Sequence, residues 1–172
     1  MLRGNVKASL MGAVVAFFGT MGIASAEPLA APTEKPILTI SGKISVTNEK
    51  DTAQFDRPML EKLGMDIIET TTPWNEGKVK FEGVRLDKLM QQVGASGRRV
   101  TVVALNDYAT EIPMEDFAKY KVILAIKRNG EYMPVRDKGP LFIIYPFDSN
   151  PDLQTQTFYD RAAWQVARID VK

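Results

Sequence analysis

The chain has 172 residues, with 22 lysines and arginines against 21 aspartates and glutamates, and contains neither cysteine nor histidine. Without thiolate or imidazole it offers no Ser-His-Asp or Cys-His nucleophile, no zinc or copper site of the usual kind and no haem ligated by histidine or cysteine. A formal net charge of +1 gives no electrostatic footing for nucleic acid or an anionic membrane.

The first 26 residues have the three zones of a secretion signal: basic Arg3 and Lys7, an apolar stretch densest over residues 10–18, and the small residues Ala24, Ser25 and Ala26. Cleavage is expected between Ala26 and Glu27. The apolar core, interrupted by Gly12, Gly19 and Gly22, falls short of the roughly 20 apolar residues that span a bilayer, so no stable membrane anchor is expected after cleavage. Arg3 has no neighbouring arginine and the chain has no cysteine to acylate. The implied route is therefore export unfolded to the periplasm or medium. Loss of Arg3 and Lys7, and of no acid, leaves 20 bases against 21 acids, a formal charge of −1. The remaining 146 residues suit one domain, read as a flexible lead over 27–36 and a globular body over 37–172.

Leu38, Ile40, Ile44 and Val46 share one parity around Gly42, which predicts an extended segment with a bend or bulge at the glycine. Residues 58–63 read as a short helix capped by Asp56 and stopped by Gly64, and 66–71 as an extended segment. Leu86, Leu89, Met90 and Val93 recur on one helical face before Gly94. The apolar runs 100–105, 122–126 and 141–145 predict strands buried on both faces at a sheet's centre. Asn129-Gly130 predicts a hairpin, since both positions tolerate the positive φ of a type I′ turn. Polar, turn-rich 146–159 reads as a long functional loop with one helical turn. In the last strand, 164–171, the apolar parity changes between Val166 and Ile169 and predicts a bulge near Ala167 or Arg168. The fold class is α+β: a mixed, largely buried β-sheet with two to four short helices.

Three places attract attention as ligand or partner contacts. Asn106, Asp107 and Tyr108 directly follow a buried strand; they form either a self-bonded turn or a site with an aromatic, polar-tipped side chain. Arg136 and Lys138 flank Asp137 before Gly139-Pro140, either as a solvated charged loop or as a receiver for an anionic ligand or a partner's carboxylate. Trp74, after Pro73 and a threonine run, either caps the core or lines a cleft. Trp164 reads as structural. Asp87, Glu115 and Asp116 have no spacing that pairs them for acid–base work, and no catalytic or metal-ligating residue is assigned.

Several segments carry a resemblance through their order: Phe81-Glu82-Gly83-Val84 with Leu86 and Leu89, then Asn106-Asp107-Tyr108 with Ile112-Pro113. Next come Leu124-Ala125 with Asn129-Gly130 and Met133, Lys138-Gly139-Pro140-Leu141 with Tyr145-Pro146, and Trp164-Gln165-Val166 with Arg168-Ile169 and Val171. Over 37–172 this series resembles the oxidoreductase molybdopterin-binding domain of sulfite oxidases and their relatives, and the resemblance implies that fold. It also implies a pterin dithiolene holding molybdenum, with a cysteine completing the coordination just ahead of the Trp74 region. Here that stretch is Glu69-Thr70-Thr71-Thr72-Pro73-Trp74. A hydroxyl is a poor stand-in for a soft, readily ionised thiolate. Family members that carry the cofactor are generally loaded in the cytoplasm and exported folded by the twin-arginine route, whose signal is missing here. No cofactor is therefore expected, molybdopterin being implied by the resemblance alone. The function expected is a non-catalytic binding or signalling domain that takes a small ligand, or the outer domain of a membrane sensor, at the cleft the cofactor would fill. Two rivals stand beside it: a molybdopterin-dependent oxidoreductase with atypical ligation, and a purely structural interaction partner.

Overall fold

The apolar alternation at the start of the domain forms strand β1 (Leu38–Gly42), with Leu38 and Ile40 in the core. Gly42 ends it at φ +86, where a Cβ would lie 2.2 Å from the Val171 carbonyl oxygen, so the chain turns away and Ile44 and Val46 leave the strand. The computed structural model describes Met1 and residues 28–172; the expected signal segment and its cleavage point, Met1 apart, lie outside the described residues.

Strand β1 pairs antiparallel with β2 (Ala53–Phe55) and parallel with the C-terminal β10 (Val166–Val171). Beyond β10 lie β5 (Arg99–Ala104) and β6 (Ala109–Pro113), giving the order β2-β1-β10-β5-β6. The register between β10 and β5 shifts between Val166 and Arg168, where the change of apolar parity predicts a bulge. A second sheet joins β3 (Met65–Thr72), β4 (Asn75–Arg85) and β7 (Ile123–Arg128), with β8 (Glu131–Tyr132) and β9 (Phe142–Ile144) both pairing with β7. The Asn129-Gly130 turn joins β7 to β8 with both residues at positive φ, as expected.

The fold is thus α+β with mixed strand pairing, but the three apolar runs do not share one sheet's centre. Residues 123–126 and all of β9 are buried, whereas β5 alternates: Val100, Val102 and Ala104 face the core while Thr101 and Val103 are half-buried. A strand covered on one face can still read as a continuous apolar run when its outer positions carry β-branched residues.

Helix α1 (Arg57–Lys62) starts where Asp56 accepts a hydrogen bond from the Met59 backbone N–H at 2.9 Å, and Gly64 at φ +94 follows its end. Helix α2 (Leu86–Gln92) buries Leu86, Leu89 and Met90, with Val93 just beyond. Helix α3 (Glu115–Lys119) leads into β7. The span 146–159 differs from the loop expected: it holds two 3₁₀ turns, Phe147–Ser149 and Pro151–Leu153, and then α4 (Gln156–Arg161). Phe147 and Leu153 are buried and anchor the turns amid polar neighbours that disguise them. The lead expected over 27–36 makes contacts with the body of the domain in its described part. Thr33 and Glu34 donate backbone N–H groups to Asp56, and the Ala30 carbonyl accepts from the Asn48 amide. Among the described residues no helix is long and apolar enough to cross a membrane.

Candidate functional site

A cavity of about 400 Å³ opens between the β3–β4 turn, the end of β5 and α4. The turn supplies Trp74. After β5, Asp107 adopts φ +62 and the Asn106 side-chain oxygen accepts the Tyr108 N–H at 3.2 Å, which directs the Tyr108 ring over the opening. The Tyr108 hydroxyl donates to the Asp160 carbonyl at 3.2 Å and so ties this turn to α4 across the rim. Gln156, Tyr159 and Asp160 of α4 form the facing wall. Ala162 and Ala163 keep the floor low before Trp164 closes the far side.

The walls are largely aromatic. Trp74 meets Trp164 at 5.6 Å between centroids and 76° between planes, and meets Tyr159 at 6.0 Å and 79°. It also packs on Phe142 and Phe147, so the core and the cavity share this side chain and both readings of it hold. Of the other candidates, Asn106 and Tyr108 line the cavity, and the turn geometry is what places them there. Lys138 does not line the cavity, but its ammonium nitrogen lies 5.3 Å from the centre of the Trp164 ring, which does. Asp107 is outside, facing Arg168 at 3.4 Å, and Arg136 is exposed on a 3₁₀ turn that does not line the cavity. Asp137, between the two cations, is held by Arg128, whose hydrogen bond keeps its carboxyl below the usual carboxylate range.

Trp164, read from sequence as structural, does pack against Phe142 at 6.1 Å, but it is also 36% exposed and lines the cavity. Gln156, Tyr159, Asp160 and Trp164 escaped a reading by motif. For Gln156 and Tyr159 the available signal is the polar segment 146–159 that they close; Asp160 lies just beyond it.

Beside the cavity, the threonine run at the end of β3 is fully engaged. Buried Thr70 accepts from the Asp148 N–H at 3.0 Å and donates to the Thr71 carbonyl. The Thr71 hydroxyl donates to Asp148, whose carboxyl that bond lowers, with Lys78 at 3.6 Å adding to the effect. The Thr72 hydroxyl donates to Asn75 across the turn. Each hydroxyl thus braces the turn that carries Trp74.

The family model described as the oxidoreductase molybdopterin binding domain matches residues 46–147. The chain belongs to the oxidoreductase molybdopterin-binding domain family. The match stops short of α4 and Trp164, so one wall of the cavity lies outside the part shared with the family model. A solved structure similar to this member of the family is the sulfane dehydrogenase SoxCD from Paracoccus pantotrophus, at 18% identity and a TM-score of 0.56. The likeness covers 78% of this chain and 37% of that one, and shows a shared fold. No curated protein matches the chain.

Membership of the molybdopterin-binding family raises the question whether these residues suit the metal-bearing pterin. They do not. Where the resemblance places a thiolate stand three hydroxyls, each already hydrogen-bonded, and a hydroxyl gives up its proton far less readily than a thiol. Among the described residues no group of three or more Asp, Glu, His or Cys is placed to hold a metal ion. The cavity lining contains Asp160 and no lysine or arginine, the reverse of what a phosphate tail calls for.

Proposed function

We propose that this protein is an exported member of the molybdopterin-binding oxidoreductase fold that binds a small ligand without redox catalysis. The alternative occupant of the same cleft is the outer domain of a membrane sensor. One observation carries the reading: the threonine run braces an aromatic cavity and offers no soft donor, so the fold's pocket is kept while its metal chemistry is given up. Export is supported by the charged, apolar and small-residue zones of the first 26 residues, and the unfolded route by the lack of an arginine beside Arg3.

Native mass spectrometry and metal analysis of protein purified from periplasm test this directly. The expected species begins at Glu27 and carries no equivalent of molybdenum. Ligand binding is expected to raise the melting temperature, because saturation at about 100 times the dissociation constant adds roughly 2.7 kcal/mol. One equivalent of a pterin-bound metal that passes electrons to an acceptor would overturn the reading. Recovery of an unprocessed chain from the cytoplasm alone would overturn its export.

A further inference from the structure

We infer that the cavity takes an organic cation whose charge is wrapped in methyl groups, of the trimethylammonium class. The inference rests on the proposed reading of the cavity as a ligand site and names the chemistry of its occupant.

The geometry of the walls comes first. Trp74, Tyr108, Tyr159 and Trp164 all line the cavity, and Trp74 meets both Trp164 and Tyr159 edge-to-face, so aromatic side chains surround it on several sides. Tyr108 closes the rim through its bond to the Asp160 carbonyl. The face of an aromatic ring is electronegative, and a cation within about 6 Å of its centre is attracted, the more so once water is displaced. Lys138 already rests its ammonium on the Trp164 ring, which shows that this ring accepts a positive charge. A trimethylammonium group has no N–H donors to satisfy. It therefore suits walls whose polar atoms are few: the Asn106 oxygen is occupied by its own turn, and the Gln156 amide donates to Asp160 at 2.6 Å.

Charge points the same way. Asp160 is the charged residue of the lining, and its second carboxylate oxygen takes no hydrogen bond among the described residues. Of the neighbouring cations, Arg161 bonds Asp116 at 2.9 Å and covers Phe158, Arg168 faces Asp107, and Lys138 is engaged over the Trp164 ring without lining the cavity. An anionic ligand would meet a carboxylate and ring faces with no lining cation to receive it. A cavity of about 400 Å³ lies within the range of small-ligand sites, so the cationic head can be one end of a somewhat larger molecule.

Both tryptophans of the chain, Trp74 and Trp164, line this cavity, so intrinsic fluorescence reports its occupancy. The full mature chain is titrated with choline, with its uncharged carbon isostere 3,3-dimethylbutan-1-ol, and with inorganic phosphate, by fluorescence and calorimetry. Choline is expected to bind about tenfold or more tightly than the isostere, the usual scale of a desolvated cation–π contact, and phosphate not to bind. Asp160→Asn should erase most of that preference. Lys138→Gln, which removes the cation over the Trp164 ring, should leave choline binding unchanged or tighter; Trp164→Phe should weaken it with the circular dichroism spectrum intact. Equal binding of choline and isostere, binding of phosphate in preference to choline, or loss of choline binding in Lys138→Gln would overturn the cation assignment while leaving the cavity a ligand site. If no compound in a wider panel of heterocycles and organic acids moves the fluorescence, the cation inference and the binding function fall together.

Discussion

Asp56 shows how one side chain serves two distant segments. Fully buried, it accepts from the Thr33 N–H and hydroxyl, the Glu34 N–H and the Met59 N–H, so it caps α1 and pins the N-terminal lead together. Burial raises its carboxyl, but the donors outweigh burial and hold it below the ordinary carboxylate value. A group whose pKa falls on folding contributes stability that is present in full above its unfolded value, about 3.9, and is lost as pH drops through the native value. Asp56→Ala is therefore expected to cost about 2–4 kcal/mol at pH 7, from a lost cap and orphaned N–H groups. Urea unfolding at pH 7 and again below pH 3 checks this: the gap between the two proteins should narrow in acid, and a gap independent of pH would remove the charge from the account. The cap itself was legible, because Asp56 stands just ahead of Pro58 and a short helical stretch. The pinned lead was not, since Thr33 and Glu34 lie 23 and 22 residues away and no local spacing encodes the contact.

At the scale of an element, α4 carries a cavity wall and is held from beneath. Asp116 of α3, almost fully buried, accepts from the Tyr145 hydroxyl and from Arg161 at the end of α4, both at 2.9 Å. Burial, and then the Asp116 charge, push the Tyr145 phenol far above its usual range, so it remains an O–H donor to the carboxylate at every pH where the protein is folded. Asp116→Ala leaves a buried hydroxyl and a guanidinium without their acceptor and is expected to cost about 3–4 kcal/mol. Arg161→Ala should cost less but loosen the wall. Amide exchange should quicken across residues 156–161 while β7 and β9 keep their protection, and unchanged exchange in α4 would show that the ion pair does not hold the helix. Sequence reading found no acid–base partner for Asp116 because its partners are 29 and 45 residues further on. The long β4 was missed for another reason: its first residues, Asn75 to Lys78, carry no apolar side chain and Glu76 to Lys78 are exposed, and only Val79 and Phe81 alternate before Gly83 packs on β7. There a Cβ would lie 2.1 Å from the Leu124 carbonyl oxygen, so the glycine of the family-like segment lets two strands approach closely.

Taken whole, the molecule is closed by its last strand. Ordered segments along 37–172 made the family and the α+β class legible, whereas the division into two sheets was not, because periodicity identifies strands and says nothing of their partners. β10 lies between β1 and β5, pairing Thr39 with Arg168 and Val171 with Val100, so the first sheet cannot form until the C-terminus arrives. Such distant pairing puts folding in the slower, millisecond-to-second range of small domains. Val166, Ile169 and Val171 are buried to 2% exposure or less, and at about 1.5–3 kcal/mol for each buried apolar side chain they contribute roughly 5–9 kcal/mol. That is comparable to the entire stability of a typical domain, about 5–15 kcal/mol, before the two exposed strand edges are counted. A chain ending at Gln165 is therefore expected to show no cooperative thermal transition in near-ultraviolet circular dichroism. Trp164→Ala, which removes a cavity wall and its packing on Phe142 but leaves every strand in place, should retain a cooperative melt. A cooperative transition in the truncated chain would mean that β1 and β5 find another way to close the sheet, and the central place given to β10 would be wrong.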